Sequence, residues 1–153
     1  MDFESVKRLL EKEGGPYEST VDSMPQRYFE PFVVQGLKVD LIERGRIVCS
    51  MVVPSRLLNT GTSLHGGATA TLVDMVGSAV IYTVGSPVTG VSVEINVSYL
   101  DGAYVGDEIE IEAKTLRVGK AIAVVSVELK NKKTGKIIAQ GRHTKYLALS
   151  SKL

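Results

Sequence analysis

The sequence has very few of the residues that build covalent or metal-centred frameworks. It contains one cysteine, two histidines and no tryptophan among 153 residues. A single cysteine cannot form an internal disulfide, and so few thiols and imidazoles argue against a zinc site. Cys49 stands in a strand-like run, so we expect it to be a small buried residue.

An excess of charge of either sign is also missing. The chain has 18 basic and 17 acidic side chains, for a net charge of +1. This balance excludes the basic surface that is typical of nucleic-acid binding. There is no apolar signal-peptide core and no segment of membrane-spanning length, so we expect a protein that is neither secreted nor membrane-embedded. The length predicts a single domain over 1–153, with an N-terminal helix and loop over 1–31 and an exposed tail over 150–153.

Hydrophobic periodicity predicts one short helix followed by mostly strands. Residues 2–13 predict an amphipathic helix, capped by Asp2 and stopped by Gly14 and Gly15. Alternation over 32–53 predicts two strands joined at 43–45. Further alternating segments, separated by turn sequences, predict three or four more strands in an antiparallel meander. These segments are GVSVEINVSYL, GDEIEIEAKTLRV, KAIAVVSVELKN and GKIIAQGRHTKYLAL.

A long stretch in the middle of the chain lacks charge almost completely. Between Arg56 and Glu94 the one acidic or basic residue is Asp74. Residues 64–85, LHGGATATLVDMVGSAVIYTVG, predict a long helix that is apolar nearly all round and is therefore enclosed by the rest of the protein. The predicted fold class is α+β, with a curved antiparallel sheet of five to six strands wrapped around one long central helix. Covering its spare sheet face or edge favours an oligomer.

The common catalytic motifs are absent. The segment GTSLH, at 61–65, lacks the final glycine of the G-x-S-x-G nucleophile elbow. The chain has neither a P-loop nor a G-x-G-x-x-G segment after a strand, so triphosphate and dinucleotide chemistry lack support. The two histidines have no acidic cluster beside them in the sequence, which leaves a metal site weakly supported.

The candidate functional residues are Asn59, His65, Gly66 and Gly67, around the start of the predicted helix, and Asp74 within it. A helix N-terminus offers unpaired N–H groups and the positive end of the dipole, which suit a developing oxyanion. The two glycines let a substrate carbonyl approach closely. The alternative is that the glycines serve helix packing and that Asn59 and His65 are cap or turn residues.

The position of Asp74 favours a functional site. It lies eight residues after Gly66, or about 12 Å along a helix. Both groups cannot contact one carbonyl from the same helix, because a base must lie within about 3 Å of its target. Two helices running antiparallel across a two-fold axis would bring Gly66 of one subunit near Asp74 of the other, giving two equivalent sites. The alternative for Asp74 is a buried carboxylate that accepts hydrogen bonds from a nearby loop.

The segments NTGTSLHGGATATLVD, GVSVEINVSYL, GDEIEIEA and TGKIIAQGRHTKYL together resemble the hot-dog-fold acyl-CoA thioesterases. The similarity covers about residues 32–149 and is greatest to the small branch of the thioesterase superfamily member 2 type. The resemblance implies a helix enclosed by a sheet, a dimer with a joint sheet, and usually a tetramer. One departure is Tyr146, where some relatives have histidine.

The resemblance also implies roles for five residues. Gly66 would donate its N–H to the thioester oxygen, and Asp74 of the partner subunit would activate water or attack directly. Asn59 would orient substrate or water, His65 would position its loop, and Ser92 would hold the water near Asp74. Such hydrolysis needs neither metal nor cofactor, because a thioester is a reactive acyl donor.

Coenzyme A carries phosphates, so the resemblance implies basic contacts at the mouth of the substrate tunnel. The candidates are Arg117 and Lys120 in LRVGKA, and Arg142, His143 and Lys145 in GRHTKY. The acyl chain would lie between two central helices. Fatty, aromatic and naphthoyl thioesters all remain open as substrates.

Two other functions stay open at this point, a non-catalytic acyl-CoA binder and an enoyl-CoA hydratase on the same fold. The final residues, Ser151-Lys152-Leu153, match the address read by the peroxisomal import receptor, and the alternative is a frayed polar tail. We therefore expect a peroxisomal matrix protein, with the cytosol as a second location.

Overall fold

A computed structural model describes residues 2–11 and 18–147 of the chain. The chain divides into two compact units, Met1–Phe32 and Val33–Leu153, which we describe in turn. The single domain over 1–153 stays a prediction. Within the described residues, no helix is both long enough and apolar enough to cross a membrane.

The first unit begins with helix α1, Phe3–Glu11. The Asp2 carboxylate caps this helix as predicted, accepting a hydrogen bond from the Ser5 N–H at 2.7 Å. The predicted stop at Gly14 and Gly15 lies outside the described residues. Helix α2 follows at Glu18–Asp22.

Helix α3, Phe29–Val34, corrects the prediction that the first strand starts at residue 32. Pro31 explains the difference, because proline is tolerated in the first turn of a helix and its fixed φ favours one there. Gly36, at φ +97°, then adopts a conformation that ends helices and redirects the chain.

The second unit is built on one antiparallel sheet of six strands, as predicted. Their order across the sheet is β1-β2-β4-β5-β6-β3. The strands are β1 Lys38–Glu43, β2 Arg46–Val52, β3 Val91–Tyr99, β4 Glu108–Val118, β5 Ile122–Asn131 and β6 Ile137–Tyr146.

The meander prediction is right for β4, β5 and β6 and wrong for β3. Strand β3 pairs with β6, with Ile95 opposite His143, rather than with its successor β4. The chain between β2 and β3 forms a helix that crosses the sheet, so β3 joins the far side. Strands β1 and β3 are therefore the two edges of the sheet.

The predicted central helix is α4, Gly66–Tyr82. It packs on one face of the sheet, against β2 to β6. The close approach of α4 to the sheet requires glycine at two positions. A Cβ on Gly77 would lie 3.1 Å from the Val125 side chain, and a Cβ on Gly141 would lie 3.0 Å from the Val73 side chain. The core between helix and sheet is formed by Leu72, Val73, Val76, Val80, Ile81, Ile109, Ile111, Val125, Val127 and Leu129.

The expectation that α4 is enclosed on every side is wrong for the single chain. The Asp74 side chain is 44% exposed and Tyr82 is 56% exposed. The sheet covers one face of α4, and the opposite face, hereafter the open face, is left without a cover by the described residues. The open face contains Thr71, Asp74, Ser78, Ala79 and Tyr82.

Cys49 is buried, as predicted, on β2. Burial, aided by the negative charge of Asp40, raises its pKa to about 11. The thiol therefore stays protonated near neutral pH and is a packing residue.

Candidate active site

The loop before α4 is held by the side chains of Asn59 and His65. The Ser63 N–H donates to Asn59 Oδ1 at 3.1 Å, and Asn59 Nδ2 donates to Ser63 Oγ at 3.0 Å. His65 is the N-cap of α4, and its Nδ1 accepts from the Gly67 N–H at 2.8 Å. Both residues thus have the turn and cap roles that the sequence left as an alternative, and they fix the backbone at the helix start.

The Gly66 N–H is the candidate hydrogen-bond donor to an oxyanion at this site. Within residues 18–147, it has no hydrogen-bond partner. It lies at the N-terminus of a 17-residue helix, where the dipole favours negative charge. The Gly66 carbonyl accepts from the Tyr99 hydroxyl at 2.8 Å, a contact that sequence reasoning missed.

Asp74 cannot reach this N–H within one chain. Because α4 is continuous from Gly66 to Tyr82, the two residues are fixed about 12 Å apart along the axis. The geometry on which the sequence prediction rests is therefore present. The meeting of two subunits stays a prediction.

A polar cluster surrounds the Asp74 carboxylate. Ser78 Oγ lies 3.4 Å from Asp74 Oδ1, and His143 Nε2 lies 3.8 Å from the same oxygen. Behind them, Ser92 Oγ is 2.7 Å from His143 Nε2, and Lys145 Nζ is 2.6 Å from Ser78 Oγ. We refer to Asp74, Ser78, Ser92, His143 and Lys145 as the Asp74 cluster.

His143 is fully buried. Burial lowers its pKa, Asp74 opposes this, and Lys145 adds to it, so the ring is neutral near pH 7. Its Nδ1 has no partner among the described residues. A buried N–H without an acceptor costs more free energy than a buried unprotonated nitrogen without a donor. We therefore assign the ring proton to Nε2, which donates to Ser92 Oγ. The Ser92 hydroxyl proton is then free to donate to another group.

Two basic residues lie elsewhere than the sequence predicted. His143 and Lys145 were expected with Arg142 at an exposed mouth, but both are buried beneath α4. Asp74 lies 3.8 Å from His143 although it belongs to another element, a contact that adjacency in the sequence does not show. Strict alternation along β6, with Arg142 exposed between buried Gly141 and His143, is the signal that could have found this.

The remaining basic candidates occupy two separate surfaces. Arg117 and Lys120 are exposed around the β4–β5 turn, and Lys120 lines a hollow of about 360 Å³ with Pro87 and Val88. Arg142 lines another hollow, of about 330 Å³, with Ser126 and Gln140. Since Arg142 alternates with buried His143, that hollow is on the sheet face away from α4. In the described ranges, no group of three or more His, Cys, Asp or Glu residues could hold a metal ion.

Known proteins match both the sequence and this architecture. A family model described as "Thioesterase superfamily" matches residues 61–138. The human protein named acyl-coenzyme A thioesterase 13 is 46% identical over 103 residues, which cover 67% of this chain and 74% of that protein. The segment matched by the family model includes the start of α4, the Asp74 position and strands β3 to β5.

Solved structures agree. Zebra fish thioesterase superfamily member 2 has a TM-score of 0.75 and 36% identity, covering 97% of this chain and 99% of that one. The mouse protein of the same name has the same TM-score and identity, covering 88% and 99%. The chain therefore belongs to the thioesterase superfamily and has the hot-dog fold, as the sequence predicted.

Proposed function

We propose that this protein is an acyl-CoA thioesterase that works as a homodimer, with each active site shared by two subunits. The observation that carries the proposal is a pair of groups on α4: the N–H of Gly66, which has no partner in the part of the chain that the structure describes, and the carboxylate of Asp74 on the open face. The names of relatives at 45–46% identity supply the substrate class.

The chemistry follows from these two groups. The thioester oxygen accepts the Gly66 N–H, which stabilises the negative charge that forms there. Asp74 of the partner subunit takes a proton from water as the water oxygen bonds to the carbonyl carbon. The intermediate then collapses, the C–S bond breaks, and the coenzyme A thiolate leaves and is protonated. In the alternative route, Asp74 attacks the carbonyl itself, the C–S bond breaks and the coenzyme A thiolate leaves and is protonated, and water then hydrolyses the resulting anhydride to the free acid and the Asp74 carboxylate.

Three further residues support this step. Asn59 and His65 fix the loop that aims the Gly66 N–H. Ser92 accepts from His143 and keeps its own proton for the attacking water or for Asp74. Asn59 also offers an amide to substrate or water in the assembled dimer.

The dimer is supported by two uncovered surfaces on the second unit. Strand β3 is a sheet edge with exposed apolar side chains, including Val91 and Val93, which is 62% exposed. Such an edge invites pairing with a second copy. Joining two β3 edges across a two-fold axis extends the sheet and brings the open faces of two α4 helices together, and two such dimers give a homotetramer.

The coenzyme A phosphates are assigned to exposed cations. Lys120 is the best supported, because it lines a hollow close to the end of α4, and Arg117 is exposed near the same turn. Arg142 remains a candidate on another surface. The acyl chain lies between the two open faces, and no metal or cofactor takes part, so activity should survive dialysis against a chelator.

The primary test is Asp74→Asn. Thiol release from a panel of fatty and aromatic acyl-CoAs should fall by a factor on the order of 10²–10⁴. Unchanged turnover would exclude the mechanism and favour a different base. An acyl-CoA that binds to the wild type without release of thiol would favour a non-catalytic binder, and hydration of an enoyl-CoA would favour a hydratase.

A second test isolates the Gly66 N–H. Gly66→Pro removes the donor at a position where proline is compatible with the helix, after a residue that is already extended at φ −61°, ψ 132°. Gly66→Ala keeps the donor, and its Cβ would be in ordinary contact with Tyr99 at 3.4 Å. Only the proline variant should lose about 10²–10³-fold in kcat.

Mixing the two inactive variants tests the shared site. A hybrid of Gly66→Pro and Asp74→Asn subunits contains one site with both lesions and one with neither. Partial recovery of activity after subunit exchange is expected. Confirmed exchange without recovery would contradict a site built from two subunits.

The proposal includes a peroxisomal location through Ser151-Lys152-Leu153, which lie outside the described residues. A fluorescent protein fused ahead of the chain should give a punctate signal that disperses when these three residues are deleted. The same diffuse signal with and without them would count against the address.

A further inference from the structure

Lys145 is a buried lysine that the proposed mechanism does not use. It is 5% exposed on strand β6, beneath the central helix. Burying an ammonium group is costly unless it is paired and hydrogen-bonded. Methionine or leucine would fill the same space without that penalty, so the charge calls for a role.

The contacts of Lys145 have a fixed direction. An ammonium group donates hydrogen bonds and cannot accept them, so Lys145 Nζ donates to Ser78 Oγ, 2.6 Å away. With its oxygen thus engaged, the Ser78 hydroxyl can donate its own proton to Asp74 Oδ1, at 3.4 Å. An ionised carboxylate only accepts. The chain of donors therefore runs from Lys145 through Ser78 to Asp74.

The charges around this route are few. Helix α4 contributes Asp74, and strand β6 contributes His143 and Lys145, which are electrostatically coupled to Asp74. The residues that β4 and β5 turn toward α4 are apolar, and β3 contributes the neutral Ser92. Burial lowers the pKa of Lys145, and Asp74 opposes that change. Since His143 is neutral near pH 7, Lys145 is the positive charge that faces the carboxylate.

We propose that Lys145 is a positioning residue for Asp74, acting through the hydroxyl of Ser78. It holds the carboxylate in one rotamer, pointing from the open face, and so aims it at the attacking water. This inference rests on the proposed thioesterase function. It adds two residues, Lys145 and Ser78, to the site.

The test uses two variants of the route and two controls. Lys145→Met and Ser78→Ala should each lower kcat/KM roughly tenfold. Each should act on kcat and leave KM near the wild-type value, because the aim of the base changes and the substrate contacts do not. Ser78→Thr keeps the hydroxyl and should retain activity. Lys130→Met removes the same charge from a partly exposed pair with Glu110 and should leave kcat and KM unchanged.

Stability separates this role from a packing role. Lys145→Met relieves the cost of burying an ammonium group, so its unfolding midpoint should equal or exceed that of the wild type. A loss of kcat with an intact fold and an unchanged KM is the expected signature. The double variant should lose no more than the larger single loss, because both changes break one route.

Several results would overturn the inference. Wild-type kcat in Lys145→Met would do so, and so would a double variant whose loss is the product of the two single losses. If the wild type hydrolyses no thioester, the proposed function has failed, and the Asp74 side-chain rotamer, measured by NMR three-bond couplings, still decides the question. The couplings should indicate one rotamer in the wild type and Lys130→Met and rotamer averaging in Lys145→Met and Ser78→Ala, and equal couplings in all four proteins would overturn the role of Lys145.

Discussion

The two faces of α4 differ in almost every physical respect. The face against the sheet is apolar and sealed, with Leu72, Val73 and Val80 fully buried. The open face has small and polar side chains, among them Asp74, Ser78 and Thr71. The first face stabilises the fold, and the second holds groups that have no structural reason to be there. Substitutions on the two faces should therefore separate stability from activity.

The largest effect on stability is expected on the sealed face. Leu72→Ala removes a fully buried side chain and leaves a cavity, which should lower the free energy of unfolding by about 2–5 kcal/mol. Urea denaturation of the purified protein measures this. A loss under 1 kcal/mol would mean that the helix is packed more loosely on the sheet than its buried side chains indicate.

An intermediate effect on stability is expected from His143, which lies between the sealed face and the open face of α4. Its pKa is lowered in the fold by burial, so below its ordinary value of about 6.5 the unfolded chain binds more protons than the folded one. The stability contributed by the neutral ring should therefore be complete well above pH 6.5 and decline as the pH falls through and below that value.

The control for this pH dependence is His143→Gln, which retains a hydrogen-bonding partner for Ser92 without a titrating ring. Unfolding midpoints between pH 7.5 and 5.5 should fall less steeply in the variant than in the wild type. Parallel slopes would show that His143 is not the group responsible.

The smallest effect is expected on the open face. Thr71 donates its hydroxyl to the Gly67 carbonyl one turn earlier, at 2.8 Å, a bond that adds little to helix stability. Thr71→Ala should change the free energy of unfolding by less than about 0.5 kcal/mol, toward greater stability, because alanine is the better helix former. A loss above 1 kcal/mol would show that the open face also stabilises the fold.

Periodicity predicted the fold well where it was regular. The alternation that marks β4, β5 and β6 and the uncharged run that marks α4 both correspond to observed elements. Two errors have physical causes. The short helix at Phe29–Val34 is set by Pro31 rather than by hydrophobic spacing, and the pairing of β3 with β6 depends on a crossing that neighbouring sequence cannot encode.

The candidate site was predictable only in part. Asp74 and Gly66 stand out because charge and glycine are unusual in an apolar stretch. His143 and Lys145 were predicted at the mouth of the substrate tunnel because the coenzyme A phosphates call for basic residues there, although the period of β6 turns both toward the helix. Helical spacing alone places Ser78 beside Asp74, because it lies four residues later. Nothing in the sequence marks this serine as functional until its contact with Lys145 is known.

The pairing of β3 with β6 also determines when the surroundings of Asp74 can form during synthesis of the chain. Strand β3 ends at Tyr99, whereas its partner ends at Tyr146, so a growing chain on the ribosome presents β3 without its neighbour for nearly fifty residues of synthesis. His143 and Lys145 belong to β6, which is synthesised last, and Ser92 belongs to its partner β3. The helix and the β2 hairpin can form earlier, but the surroundings of Asp74 are completed by the last strand to be made. Nascent chains therefore expose an apolar strand during translation, and they acquire the groups around the carboxylate only at the end.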